Sequence, residues 1–428
     1  MKKIKAIIMG YGDRGQIYAG YAEKAPDRFE VVGVVDPDPI RAEKAKKRFS
    51  LREDMCFTDP EEFYRKGKLC DAVINATMDK LHYETTVPLL RAGYHVLLEK
   101  PVSGDVNELK ELARLAKENG VVLMVCHVLR YAPFYRKIKE ILLSGEIGEV
   151  RHIHCEERVA LPHVLSSYIR GKWNSESQCG SGMLMAKCCH DIDLIVWLKN
   201  SFGLDRITSV GSRRFFTSAN KPSGAGSRCL VDCGVEEECP YSCRKLYLDR
   251  DEFPFLVWTG VEGKDWTEIT DGKEREELLK TVNPHGKCCF EDKDLVDQQS
   301  VILSFRDGST ATLDMTGGTA RPGRSIFISG TKGEIEGFLE NNRFTVRLYD
   351  AQTAGYRERE VEIREDVSGA HSGGDLRLAE DFVSTVAGEK RSVSCTDIDQ
   401  SIAGHIAVIG AEISRKTDRT VRFDELFG

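Results

Sequence analysis

Three glycines, Gly10, Gly12 and Gly15, stand in a G-x-G-x-x-G spacing within "IIMGYGDRGQ", and Asp36 follows twenty-one positions after the last of them. That spacing suits a dinucleotide. The first glycine permits a sharp turn, the second lets backbone approach a pyrophosphate, and the third lets a helix pack closely on a strand. The helix that opens at Asp13 and Arg14 would turn its unpaired N–H groups toward the diphosphate. Asp36 would accept hydrogen bonds from the ribose hydroxyls. Pro37 and Asp38 follow it, so a 2′-phosphate would meet negative charge, and NAD is expected over NADP despite the nearby Arg41.

A second set of reactive residues lies in "MLMAKCCHDIDLIVWL", residues 183–198, a helical pattern that is apolar nearly all round and therefore expected to be buried. Its few polar members are informative. Lys187, His190 and Asp191 fall at i, i+3 and i+4 and share a face, with Asp193 three positions beyond His190. An imidazole, with an ordinary pKa of about 6.5, can take and return a proton near neutrality.

The third set is "RCLVDCGVEEECPYSCRK", which spaces Cys229, Cys233, Cys239 and Cys243 as C-x3-C-x5-C-x3-C. Four thiolates so close can wrap a tetrahedral, structural zinc ion; iron–sulfur ligation and free thiols are the other readings. Cys288 and Cys289 can replace one member of the set.

These residues need elements to hold them. Apolar, β-branched runs at 4–9, 29–36, 71–77, 94–100 and 121–127 alternate with helical patterns at 81–93 and about 105–119, the latter with Leu109, Leu112, Ala113 and Ala116 on one face. This alternation predicts a doubly wound α/β sheet over residues 1–127, with Gly10 to Gly15 in its first strand-to-helix turn. From residue 128 to 428 the pattern changes to a helix with Phe134, Ile138, Ile141 and Leu142 on one face, then strand-like runs. The expectation there is an α+β domain with an open, mainly antiparallel sheet, a cysteine-rich insertion at about 212–295, and two late amphipathic helices at about 375–387 and 397–416.

At 428 residues the chain is too long for one ordinary core. Its net charge of −7 provides no positive field for a nucleic acid or an anionic membrane, and no run approaches the ~20 apolar residues a membrane helix needs. "MKKIKAIIMG" flows into the glycine turn without a cleavage site and reads as a first strand rather than a secretion signal. Fourteen cysteines are then expected in a reducing compartment, the cytoplasm.

Asn75 to Thr77, His82, "AGYHVLLEKP" at 92–101, "HDIDLIVWL" at 190–198 and "SGTKGEIEG" at 329–337 together resemble the Gfo/Idh/MocA oxidoreductases across nearly the whole chain. The resemblance implies Asn75, Thr77, His82 and Glu99 beside the cofactor. It also implies Lys100 next to the nicotinamide as a residue that hydrogen-bonds and helps deprotonate a substrate hydroxyl, and His190 as the proton shuttle. The substrate would be a sugar, cyclitol or related polyol, and the assembly a homodimer or homotetramer through the C-terminal sheet. His127, Arg130, Tyr131, His163, Lys187 and Asp191 become candidate substrate contacts, with Tyr168, Arg170 and His371 weaker ones. The chain departs from the family where an aspartate usually precedes the histidine by four: Ala186 stands there, followed by Lys187. Relatives with a similar Cys-His-Asp helix and a cysteine-bearing insertion resemble NAD-dependent glycosidases, which oxidise a ring hydroxyl, eliminate the aglycone, add water and return the hydride. That remains the alternative activity. A binding-only sensor would have no chemical use for Lys100 and His190.

Overall fold

The computed structural model describes residues 2–199, 203–261 and 263–427. Strands β1 (Ile4–Met9), β2 (Phe29–Val35), β3 (Cys56–Phe57), β4 (Ala72–Asn75), β5 (His95–Leu98) and β6 (Leu123–Val125) form one parallel sheet in the order β3-β2-β1-β4-β5-β6. The order reverses between β1 and β4, and in such sheets the crevice at the reversal, beyond the strands' carboxyl ends, is where ligands bind. All of β1 except Lys5 is buried, as expected of a parallel strand covered on both faces.

Alternate β1 residues serve different cores. Ile7 and Met9 pack with Leu89, Leu112 and Val96. Ala6 and Ile8 pack with Val34, Ile74, Leu378 and Phe382, so one face of the amino-terminal sheet is closed by helix Gly374–Val386 from the far end of the chain. The same end extends the sheet edge, where Val125 N donates to Thr396 O at 2.9 Å. The sequence places residues 374–397 with the second domain; in the structure they complete the first.

Helix Val106–Glu118 shows local and tertiary signals in agreement: the Asp105 side chain accepts from Asn107 N at 2.7 Å, and Leu109, Leu112, Leu115 and Ala116 are buried. Each fully buried leucine contributes about 1.5–3 kcal/mol.

Strands β7 (Val150–Ala160), β8 (Leu204–Ser212), β9 (Gln298–Phe305), β10 (Thr310–Thr319), β11 (Gly323–Gly330), β12 (Gly333–Phe338), β13 (Arg343–Asp350), β14 (Gly355–Glu362) and β15 (Val421–Arg422) make the second sheet, in the order β14-β13-β12-β11-β7-β10-β9-β8-β15. Only β7 and β10 run parallel, so the mainly antiparallel reading describes it. Along β7 buried and half-exposed residues alternate, leaving one open face and one covered by helices Cys189–Lys199 and Ile398–Thr417.

The insertion between β8 and β9 is built of short helical turns, the longest helix being Gly272–Lys280. Arg170 pins it: its guanidinium donates to Lys287 O at 2.7 Å and Tyr241 O at 2.8 Å. The insertion also reaches the first domain, where Lys44 Nζ lies 3.0 Å from Asp265 Oδ2.

Candidate active site

Gly10 adopts φ +84°, and a Cβ there would sit 2.5 Å from Ala76 O. A Cβ on Gly15 would sit 2.1 Å from Gly10 O, so helix Asp13–Ala19 approaches β1 as only glycine allows. Gly12 differs: a Cβ there would meet only the Arg41 guanidinium, at 4.0 Å. The backbone therefore opens onto free space at the one position where a pyrophosphate would lie, and the groove fits a dinucleotide. Asp36 follows β2 directly, beside this turn and buried, its carboxylate accepting from Tyr11 N at 2.6 Å and Asp38 N at 2.9 Å. Burial pushes its pKa up.

Several residues expected at the cofactor make hydrogen bonds within the protein. Asn75 donates to Thr85 Oγ1 and Thr86 Oγ1 and accepts from Thr77 Oγ1 at 2.8 Å. His82 has ring nitrogens 2.6 Å from Pro101 O and 3.0 Å from Thr77 O. These three shape the loops after β4 and β5, with their polar side-chain atoms engaged by neighbouring protein groups. Arg14 is a tie as well, donating to Glu99 Oε1 at 2.6 Å, to Asp375 Oδ1 at 2.6 Å and to the Tyr18 hydroxyl. Asp13 opens the helix, with burial raising its carboxyl. Burial pushes Glu99 up as well, but Arg14 and Lys100 outweigh it and hold the pKa below the usual range. The Glu99 carboxylate also accepts from Lys100 N at 2.8 Å.

Lys100 leaves the carboxyl end of β5, and its Nζ donates to Ala186 O at 2.8 Å. The segment expected as one α-helix from Met183 begins as a π-helical turn, Leu184–Cys188, and becomes α-helical at Cys189–Lys199. Widened turns of this kind concentrate at functional sites. Here the turn presents the Ala186 carbonyl to Lys100 and Lys187 to Glu157, with Nζ 3.5 Å from Oε1. Asp191 accepts from Arg324 Nε at 2.8 Å, and the same nitrogen lies 2.8 Å from Glu157 Oε2. Burial raises Asp191, opposed by the Arg324 charge. Lys187, Asp191, Glu157 and Arg324 thus form one buried charge cluster beside His190.

His190 is buried, and its Nδ1 has no hydrogen-bond partner. Burial first, then the charge of Lys100, pushes its pKa well below the ordinary value, so the ring is a neutral base at pH 7. His163, partly exposed, stacks on Phe253 at 5.0 Å, and burial and the Lys187 charge drive it down to about 2. Phe253, from the insertion, holds φ +53° to present its ring.

Three further candidates are buried. Arg130 is 1% exposed and pairs with Asp193 through two bonds, at 2.7 and 2.5 Å, while donating to Cys395 O. Tyr131 donates to Asp381 Oδ2 at 2.7 Å on the opposite side. His127 lies behind His190, its ring 5.9 Å from that of His190 and 5.0 Å from that of His405, and burial keeps it neutral. Arg170 is a strut, as described above.

The cysteines do not gather around a metal. Among the described residues no group of three or more His, Cys, Asp or Glu is placed to hold one. Cys229 and Cys243 share a thiol hydrogen bond, as do Cys288 and Cys289, and Arg170 Nη2 stands 3.7 Å from Cys229 Sγ. The Arg170 guanidinium beside Cys229 already supplies one positive charge to these thiols.

Residues 4–127 match the model of an oxidoreductase family with an NAD-binding Rossmann fold, and residues 135–234 match the GFO/IDH/MocA C-terminal domain. The chain belongs to the Gfo/Idh/MocA oxidoreductase family. A putative oxidoreductase of Bacillus subtilis, YteT, is 26% identical over 375 residues, covering 84% of this chain and 83% of its own. The scyllo-inositol 2-dehydrogenase (NADP+) IolW of the same organism is 28% identical over 203 residues, 47% of this chain and 53% of its own. An NAD-binding oxidoreductase from Klebsiella pneumoniae shares the fold with a TM-score of 0.71 at 17% identity, over 99% of both chains. The WlbA dehydrogenase from Bordetella pertussis, solved with NADH and UDP-GlcNAcA, does so with a TM-score of 0.67 at 16% identity, over 98% of both chains. An NAD-binding oxidoreductase is what the family makes of this chain.

Glu157, Arg324, Phe253 and Asp375 escape the sequence reading. Arg324 lies 133 positions from Asp191 and Asp375 lies 361 from Arg14, and no periodicity links such pairs. Phe253 alone leaves a signal, sitting in the insertion as "DEFPF", where an aromatic precedes a proline.

Proposed function

We propose that this protein transfers hydride between a secondary hydroxyl of a sugar, cyclitol or related polyol and the nicotinamide of NAD. The observation that supports it is the meeting of Lys100, from the carboxyl end of β5, with the helix carrying the neutral His190, at the crevice between the two domains. NAD, held along Gly10, Gly12 and Asp36, supplies the two-electron acceptor. The Lys100 ammonium donates a hydrogen bond to the substrate oxygen and stabilises negative charge developing there, and His190 takes the hydroxyl proton. Lys187, partly exposed on the segment that carries His190, suits a polar or anionic substituent. Fourteen free thiols fit the cytoplasm; no described helix is long and apolar enough to cross a membrane. The open face of the second sheet, with Ile302 exposed, is where we place subunit contacts of a dimer or tetramer.

One observation favours the redox-neutral glycosidase as a second reading: His163 and His371, both kept neutral chiefly by burial, flank the same pair. Oxidation of a ring carbon acidifies the adjacent C–H, and eliminating an aglycone needs a second base. Incubating the protein and NAD+ with polyols and aryl glycosides, while reading 340 nm absorbance and free aglycone, separates the two. Stoichiometric NADH supports the dehydrogenase; aglycone without net NADH, with solvent deuterium entering C2, supports the glycosidase; neither product from any compound removes both.

A further inference from the structure

A proton taken by His190 must leave a buried ring, and the surroundings of His190 differ sharply on its two sides. Toward the protein interior the next imidazole is His127, 1% exposed, with Asp193 and Arg130 beyond it. Both ring nitrogens of His127 lack a hydrogen-bond partner, and Arg130, Asp193 and His405 around it are each 1% exposed. Toward the other side stands His371, its ring 5.6 Å from that of His190 and its side chain 30% exposed.

His371 is held there deliberately. Its backbone lies at φ +51°, ψ +39°, followed by Ser372 at φ +52° and Gly373 at φ +75°, three successive left-handed residues of which two carry side chains. Such conformations persist where the surrounding structure over-determines them. The determinant is Asp375: its two carboxylate oxygens lie 3.2 Å from His371 Nδ1, and Arg14 fixes Asp375 from the first helix. The Nδ1 side of the ring is anchored to Asp375, which leaves Nε2 as the transferring atom. Arg14 also holds Glu99, next to Lys100. One guanidinium therefore positions both the lysine that meets substrate and the carboxylate behind His371.

We propose that His371, oriented by Asp375, is the proton exit of the site. This rests on the dehydrogenase reading above. Oxidation of a secondary alcohol by NAD+ gives a ketone, NADH and one H+. The substrate O–H bond breaks as an N–H bond forms on His190, and its electrons become the second bond of the carbonyl as hydride leaves carbon. The two rings stand 5.6 Å apart with no direct hydrogen bond between them among the described residues, so a bridging water carries the proton. The N–H bond on His190 breaks as that water gains a proton and passes one of its own to His371, which releases it to bulk water. His371 acts through His190 and does not touch the reacting carbon. The charged or titratable groups around it are Asp375 on its own segment, Arg14 on the first helix, His190 and Lys187 on the helix opposite, and His163.

The test uses the full chain with bound NAD+ and the polyol that yields NADH, comparing wild type with His371→Asn, since asparagine tolerates the left-handed backbone. NADH is read at 340 nm and proton release with phenol red in weak buffer; tryptophan fluorescence checks that NAD+ binding is retained. In the wild type the two signals should coincide. In H371N the first NADH turnover should persist while proton release and steady turnover fall about tenfold or more, and added imidazole should restore them. Coincident signals at wild-type rate, or a loss that imidazole leaves untouched, would overturn the exit while leaving the dehydrogenase standing. Aglycone release without net NADH leaves no proton to export and overturns the exit together with the dehydrogenase reading.

Discussion

The Lys100 ammonium donates to the carbonyl of Ala186, 2.8 Å away and in the other domain. A backbone oxygen thus occupies the place beside the lysine where the resemblance leads one to expect an aspartate side chain. It fixes Nζ without adding a negative charge that would compete for the substrate proton.

Replacing Lys100 with Met removes this donor and its charge at one stroke. Turnover of a competent polyol should fall by about 10²–10⁴-fold, the usual weight of one acid–base group, while fluorescence titration shows NAD+ binding retained. Unchanged turnover would remove the role assigned to the lysine.

Gly12→Ala and Gly15→Ala should fail differently. The Gly12 Cβ enters open space, so the protein should melt normally but bind NAD+ at least about tenfold more weakly, a loss of ~1.4 kcal/mol. The Gly15 Cβ meets a backbone oxygen at 2.1 Å, so that variant should lose about 1–3 kcal/mol of stability through overpacking. Calorimetry with and without NAD+ distinguishes the two.

Arg130 and Asp193 form a pair that is 1% exposed on both sides. Asp193→Asn leaves the guanidinium unbalanced in the interior and should cost about 3–5 kcal/mol in denaturant unfolding. If Arg130 contacted substrate instead, the main effect of removing its partner would appear in KM.

Stability should fall with acid below pH 6.5. His127, His190 and His405 are buried and burial depresses all three pKa values, His405 to about 3. Below pH 6.5 the unfolded chain binds protons that these rings in the folded chain do not, so stability is full above 6.5 and declines as pH falls toward the depressed values. Each such ring contributes a slope of about 1.4 kcal/mol per pH unit. Urea midpoints at pH 7, 6 and 5 measure it, and a flat profile would mean that the rings are charged.

Cys288 is half-buried, and a hydrogen bond from the Cys289 thiol lowers its pKa to about 6. At pH 7 it is mainly thiolate, so iodoacetamide followed by peptide mass spectrometry should mark Cys288 well before Cys126 or Cys188, which burial pushes up. Labelling at pH 5 should be about tenfold slower.

The amino-terminal domain was readable because its signals are local. The β1 run, the glycine turn and Asp36 lie within one βαβ unit, and parallel strands announce themselves by unbroken apolar runs. At the candidate site, chain position dictates place for Lys100, just past the end of β5, and for His190, on a buried helix. Polar type gives no direction: Arg130 and Tyr131 were expected to face substrate because they follow β6, yet each satisfies a buried carboxylate instead. Spacing misled at the cysteines too, since C-x3-C gives no sign of the guanidinium that Arg170 places among them. The π-helical turn at Leu184–Cys188 was hidden because i, i+4 and i, i+5 ladders leave the same apolar composition.

The closing of the first sheet by helix Gly374–Val386 and Thr396 bears on synthesis. Ala6, Ile8 and Ile74 emerge early from the ribosome, but the side chains that cover them, Leu378 and Phe382, arrive near the end of translation. A nascent chain cut after residue 127 would display an uncovered oily wall, so truncations at the apparent domain boundary should be insoluble, and the growing polypeptide has reason to keep a chaperone until its last helices appear.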